Sequence, residues 1–175
     1  GAISLAKTES YKLDKNTEAT GTTGKVYFDE RNGWEEFLHT ISFGLIFKDE
    51  VTVIAEATDA LSGVEIIEYV SSDKALTLDE VIALADWTVM PEDGVAVTLE
   101  DTKQFVYYVR IKDNAGNITY FSTNGAEYDA TAPAISGIEN GGTYYTTQKV
   151  TVADKNLDTV TLNDVKVTGS ITLDG

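Results

Sequence analysis

The sequence predicts a mainly β fold: a β-sandwich carrying one or two short helices, followed by part of a second β-sandwich. Three observations carry this expectation. Short runs rich in β-branched and aromatic residues alternate apolar with polar positions and are separated by Gly, Asn and Asp punctuation. The stretch Phe105 to Tyr120, FVYYVRIKDNAGNITY, has the form of two strands joined by a polar turn at Asp113 to Asn117. The order of strand, acidic turn and strand then occurs twice, with VTV at 51–53 answered by VTV at 150–152, which reads as a divergent internal repeat.

Taken in order, Ile3 to Ala6 and Val26 to Phe28 have weak strand character, and Gly21 to Gly24 between them reads as loop. Trp34, Phe37, Leu38 and Ile41 follow the Asn32-Gly33 turn at helical spacing, predicting a short amphipathic helix laid on the sheet. Val51, Val53, Ala55 and Ala57 alternate with Thr52, Ile54, Glu56 and Thr58 as in a half-buried strand. The turn Asp59 to Gly63 leads into a second strand, Val64 to Val70. Thr77 with Glu80 three residues on has the form of a capping box, and Leu78, Val81, Ile82 and Ala85 continue at helical spacing. Trp87 to Met90 and Val95 to Leu99 flank the Pro91 to Gly94 turn and read as a further strand pair. In the hairpin that follows, Phe105, Tyr107, Val109 and Ile111 should face the core, and Tyr108, Arg110 and Lys112 should face water.

Tyr128 to Pro133 breaks the strand pattern and reads as a linker, placing a sandwich domain at 1–131 and an incomplete module at 132–175. Only about 43 residues follow the linker, whereas a sandwich of this kind needs roughly 80 to 100, so the second unit should lack a counterpart of the 105–120 hairpin.

Composition narrows the function classes. With 13 Lys and Arg against 29 Asp and Glu, the formal charge of −16 repels nucleic-acid phosphates and anionic lipid headgroups. Cysteine is absent, which removes disulfides, thiolate metal sites and thiol catalysis. No apolar run reaches the roughly 18 residues of a membrane span, so no membrane insertion is expected. The terminal Gly1 and the plain ending at Gly175 suggest a piece of a longer protein.

The runs VTVIAEATDALSGVEIIEYVSSD and DNAGN and the junction YDATAPAISGIENGGTYYT resemble the tandem immunoglobulin-like or fibronectin type III-like modules of Gram-positive surface proteins and secreted glycoside hydrolases. The resemblance covers most of residues 43–72 and 105–168. It implies an immunoglobulin-like β-sandwich in an extracellular or cell-surface setting, held to the wall through segments outside this chain. Such modules act as stalks, spacers and adhesin parts, so the expected function is a non-catalytic spacer or adhesive module. The implied partners are neighbouring modules of the parent chain and a host or cell-wall glycan or protein.

Two groups of candidate site residues follow. If consecutive loops of the sandwich share one end, Asp59 and Ser62 lie near Asp113, Asn114 and Asn117, where oxygen ligands could converge on Ca²⁺. The same logic groups Asp154, Asn156 and Asp158 with Asp129. The plainer alternative is that these side chains bond to their own turn backbones. Trp34, Trp87, Tyr108 and Tyr120, with Tyr144 and Tyr145, are the candidate stacking platforms for the alternative function, a carbohydrate-binding accessory module. The lone His39 has no nucleophile motif beside it, and adjacent Glu35 and Glu36 diverge on a helix, so no enzymatic activity is expected. An intramolecular lysine amide needs an inward lysine, which the strand alternation does not supply.

Overall fold

The computed structural model describes residues 13–14, 21–28, 41, 43–97 and 103–173. The strand expected at Ile3 to Ala6, the residues Trp34, Glu35, Glu36 and His39, and most of the helix expected over 34–41 lie outside the described residues. The described chain is mainly β, with antiparallel and mixed sheets and one short helix. It divides into two compact units, residues 1–128 and 129–175.

In chain order the first unit holds β1 (Thr22–Phe28), β2 (Phe43–Phe47), β3 (Thr52–Asp59), β4 (Val64–Ser72), α1 (Leu78–Ile82), β5 (Thr88–Val89), β6 (Val95–Ala96), β7 (Gln104–Asp113), β8 (Ile118–Ser122) and β9 (Gly125–Tyr128). One sheet is β1-β3-β6, antiparallel throughout. The other runs β2-β9-β7-β4-β5, with β8 also pairing β7. Residues from both sheets form one apolar cluster that includes Val26, Phe28, Val53, Val109, Ile111 and Phe121. At about 25 cal/mol per Å² of apolar area removed from water, burial of this set is the main term favouring the unit.

β1 begins at Thr22, so residues 22–24, expected as loop, are strand. The reason is tertiary. A Cβ at Gly24 would collide with the Ile111 side chain, so a residue that looks like a loop signal is a strand position where a large neighbour comes close. The proposed strand pair at 87–99 is also corrected: β5 joins β4 and β6 joins β3, so the turn between them carries the chain from one sheet to the other. β2 pairs β9 in parallel, a pairing between segments far apart in sequence, and β9 occupies residues up to Tyr128, where the linker was expected to begin.

β7 is buried on both faces. Tyr107, Val109 and Ile111 belong to the inter-sheet cluster, whereas Val106 and Tyr108 form a second cluster with Val81 of α1, flanked by Ile41, Val70, Leu76, Trp87 and Tyr120. The outer face is therefore not wet at Tyr108, which is 0% exposed. The helix explains the difference. Thr77 Oγ1 accepts from Glu80 N while the Glu80 carboxylate accepts from Thr77 N, closing the capping box that starts α1, and Val81 points onto the sheet.

The second unit holds β10 (Ala134–Ser136), β11 (Gln148–Ala153), β12 (Val160–Leu162), β13 (Val165–Val167) and β14 (Ser170–Leu173). β10-β11-β14 is an antiparallel sheet, and β12-β13 is a separate hairpin. The hairpin turn uses Asn163 and Asp164, both at positive φ, as a type I′ two-residue loop requires. The register pairs Val152 with Ile135 and Val150 with Ile171, gathering the apolar side chains on one face of the sheet.

Candidate functional site

The turns after β3 and β7 meet at one end of the first unit. The Asp59 Oδ1 atom accepts from the backbone N–H groups of Leu61 (3.1 Å), Ser62 (2.7 Å) and Gly63 (2.7 Å) and from the Ser62 hydroxyl (3.2 Å). Asp113 repeats the device: its Oδ1 accepts from Ala115 N (2.9 Å) and Asn117 N (2.8 Å). Each aspartate thus folds its own turn, the plainer alternative foreseen from sequence. Asn114 ties the two turns together by donating through Nδ2 to the carbonyls of Ser62 and Gly63, both at 3.0 Å, while its N–H bonds to the Gly63 carbonyl.

The two aspartates also converge with a third. Asp59, Asp113 and Asp14 each offer a carboxylate oxygen to a cluster within 4.8 Å of one another. Asp14 comes from a segment more than a hundred residues from Asn117 in the chain, and no local pattern singles it out. Asn117 Nδ2 bridges the group, donating to Asp113 Oδ2 (2.6 Å) and Asp14 Oδ1 (3.4 Å). A cation here would demand a half-turn of that carboxamide so that its oxygen, not its nitrogen, faced the carboxylates.

Both turn aspartates stay ionised. Burial would push the Asp113 carboxyl up, but the Asn117 side chain and the N–H groups of Asn117, Ala115 and Gly116 outweigh it and hold the group below the usual carboxylate range. For Asp59, burial is likewise outweighed by hydrogen bonds from Gly63, Leu61 and Ser62.

In the second unit, Asp154 Oδ1 accepts from Asn156 N at 2.7 Å, and Asn156 Nδ2 donates to Asp129 Oδ2. Asp158 is exposed and accepts from the Thr159 hydroxyl. Among the described residues, these carboxylates do not converge as the first three do.

Of the described aromatic candidates, Tyr145 is 90% exposed and the Tyr144 hydroxyl accepts from Glu139 N at 2.6 Å, whereas Tyr108, Trp87 and Tyr120 are engaged within the first unit. The Tyr108 hydroxyl accepts from Leu76 N at 2.7 Å beneath α1, so Tyr108 is no exposed stacking platform. Trp87 lies 6.0 Å from the Tyr120 ring, has the Arg110 guanidinium 4.7 Å from its ring centre, and donates its indole N–H to the Leu84 carbonyl. Arg110 is also held by Glu68 at 2.6 Å. Tyr120 pairs across the strands with Arg110, and Tyr108 with Ser122. Lys25 and Lys112 sit at the surface in ion pairs with Glu56 and Glu65, both 2.8 Å.

No family model, no curated protein and no solved structure matches the chain.

Proposed function

We propose that the chain is a non-catalytic spacer or adhesive segment of a larger extracellular or cell-surface protein, built from an immunoglobulin-like β-sandwich and part of a second one. The observation that carries the reading is structural repetition. In each unit an antiparallel pair, β1-β3 or β10-β11, ends in an aspartate, Asp59 or Asp154, whose Oδ1 accepts from the backbone N–H two residues on. Tandem modules that reuse one folding unit are what a stalk requires. The expected partners are adjoining modules and a glycan or protein of a host or cell wall.

The alternative, a carbohydrate-binding accessory module, is less well supported, because Tyr108 is buried and one side of Trp87 is covered by Arg110. A glycan array with the full chain decides between them. The spacer reading expects no reproducible binding. Binding lost in Trp34→Ala or Trp87→Ala would overturn it.

A second reading concerns Asp14, Asp59 and Asp113, favoured by three carboxylates from three separate segments at one loop end. A Ca²⁺ ion there would cross-brace the loops, with Asp59, Asp113, Asp14 and a turned Asn117 as ligands, at the cost of the Asn117 bond to Asp113 Oδ2 and in competition with the Thr22 hydroxyl on Asp59 Oδ2. Thermal unfolding with millimolar Ca²⁺ and with chelator tests this. A rise with Ca²⁺ that disappears in Asp14→Asn supports the site; identical curves remove it.

A further inference from the structure

The chain contains three Asn-Gly pairs, Asn32-Gly33, Asn124-Gly125 and Asn140-Gly141, of which the first lies outside the described residues. The other two sit in opposite environments. Gly125 is buried in β9 against the ring of Phe43, and its backbone belongs to the β2-β9 pairing. Asn140 and Gly141 are both exposed, in the turn closed by the Gly142 N–H on the Glu139 carbonyl at 3.0 Å.

We propose that Asn140 is a site of spontaneous covalent modification, deamidating through a succinimide to aspartate and isoaspartate. The reaction needs the following backbone nitrogen to reach the side-chain carbonyl carbon. Gly141 meets that need in two ways: it has no side chain and sits in open space, where even a Cβ would meet nothing within 4 Å, and its N–H is not the donor that closes the turn, a role the Gly142 N–H fills. The Asn140 carboxamide makes no hydrogen bond to any described residue that would hold it away. The Gly141 nitrogen forms a bond to the Asn140 side-chain carbonyl carbon, the carbon–nitrogen bond of the amide breaks, and ammonia leaves with the proton that Gly141 gives up. Water then adds to one of the two ring carbonyls, and the ring opens to aspartate or isoaspartate. Water is the only co-reactant.

Two other exposed positions are less suited. Asn114 is fixed by its bonds to Ser62 and Gly63, and Asn163 precedes Asp164, whose side chain crowds the attacking nitrogen. The consequence for the fold is local. Isoaspartate adds a methylene to the backbone and a negative charge in the 137–147 connection between β10 and β11, whose pairing is only Ala134 to Ser136 with Thr151 to Ala153.

The test is peptide mapping by mass spectrometry after incubating the full chain at mildly alkaline pH, with isoaspartate identified by enzymatic methylation. Asn140 should convert more than about tenfold faster than Asn124, which must wait for β9 to open locally. Isoaspartate should predominate, and the amides of 134–136 should lose hydrogen-exchange protection as it accumulates. In Asn140→Gln the methylation signal from this turn should vanish. Conversion at Asn140 no faster than at Asn124, or methylation unchanged in Asn140→Gln, would overturn the proposal.

Discussion

The two units begin from the same local instructions and reach different degrees of burial. In both, an antiparallel strand pair leads to an aspartate-capped turn. In the first, the apolar face of β1 and β3 is covered by β7 and its neighbours, and Val26, Val53, Val109 and Ile111 are all 0% exposed. In the second, Val150 is the one described apolar side chain that is buried, and Ile135 on the same face remains 64% exposed. The difference teaches that the strand and turn signals specify a module's edge, while a long, doubly buried strand such as β7 supplies its core.

The sharpest way to break the comparison is Ile111→Ala. Losing a fully buried side chain that packs against Gly24 should cost about 3–5 kcal/mol in the first unit. Hydrogen exchange should show protection falling across β3 and β7 while β11 is unchanged; a parallel loss at β11 would mean that the units do not unfold separately. Tyr108→Phe should cost about 1–3 kcal/mol, since it leaves the Leu76 N–H without its buried acceptor. Thr77→Ala should cost about 1 kcal/mol by opening the capping box, and restoration by Thr77→Ser would confirm the cap as the cause. Val150→Ala should cost less than the equivalent Val53→Ala, by about 1 kcal/mol or more, because a partly covered face loses less on truncation.

Acid sharpens the same contrast. The Asp59 and Asp113 carboxyls lie below their unfolded values, so the stability they contribute is present at neutral pH and is lost as pH falls from about 4 toward their folded pKa values. Fluorescence-monitored acid unfolding should show the loss, and Asp113→Asn should flatten that part of the curve. An unchanged pH dependence in the variant would show that the turn hydrogen bonds do not favour the ionised form.

Much of this was legible in the sequence because it depends on near neighbours. The capping box at Thr77 and Glu80 spans three residues, the alternation of Val51 to Thr58 has period two, and the turn at Asp113 to Asn117 names its own hydrogen bonds through residue type. The errors share one cause. Tyr108 lies on the charged side of an alternating strand, a position that predicts exposure, yet α1, from a different stretch of chain, covers it. Gly24 read as loop because glycine usually does, although Ile111 is what requires it.

The sequence by itself determined that the chain is mainly β and marked β3, β4, β7, β8, β11 and α1 with the turns at Asp59 and Asp113, since these are set by local backbone preference and side-chain period. Tertiary structure alone decided that β2 lies parallel to β9, that both faces of β7 are buried, and that Asp14 joins Asp59 and Asp113. Each of those facts brings together residues distant along the chain, and no local period records which distant surface will cover which face.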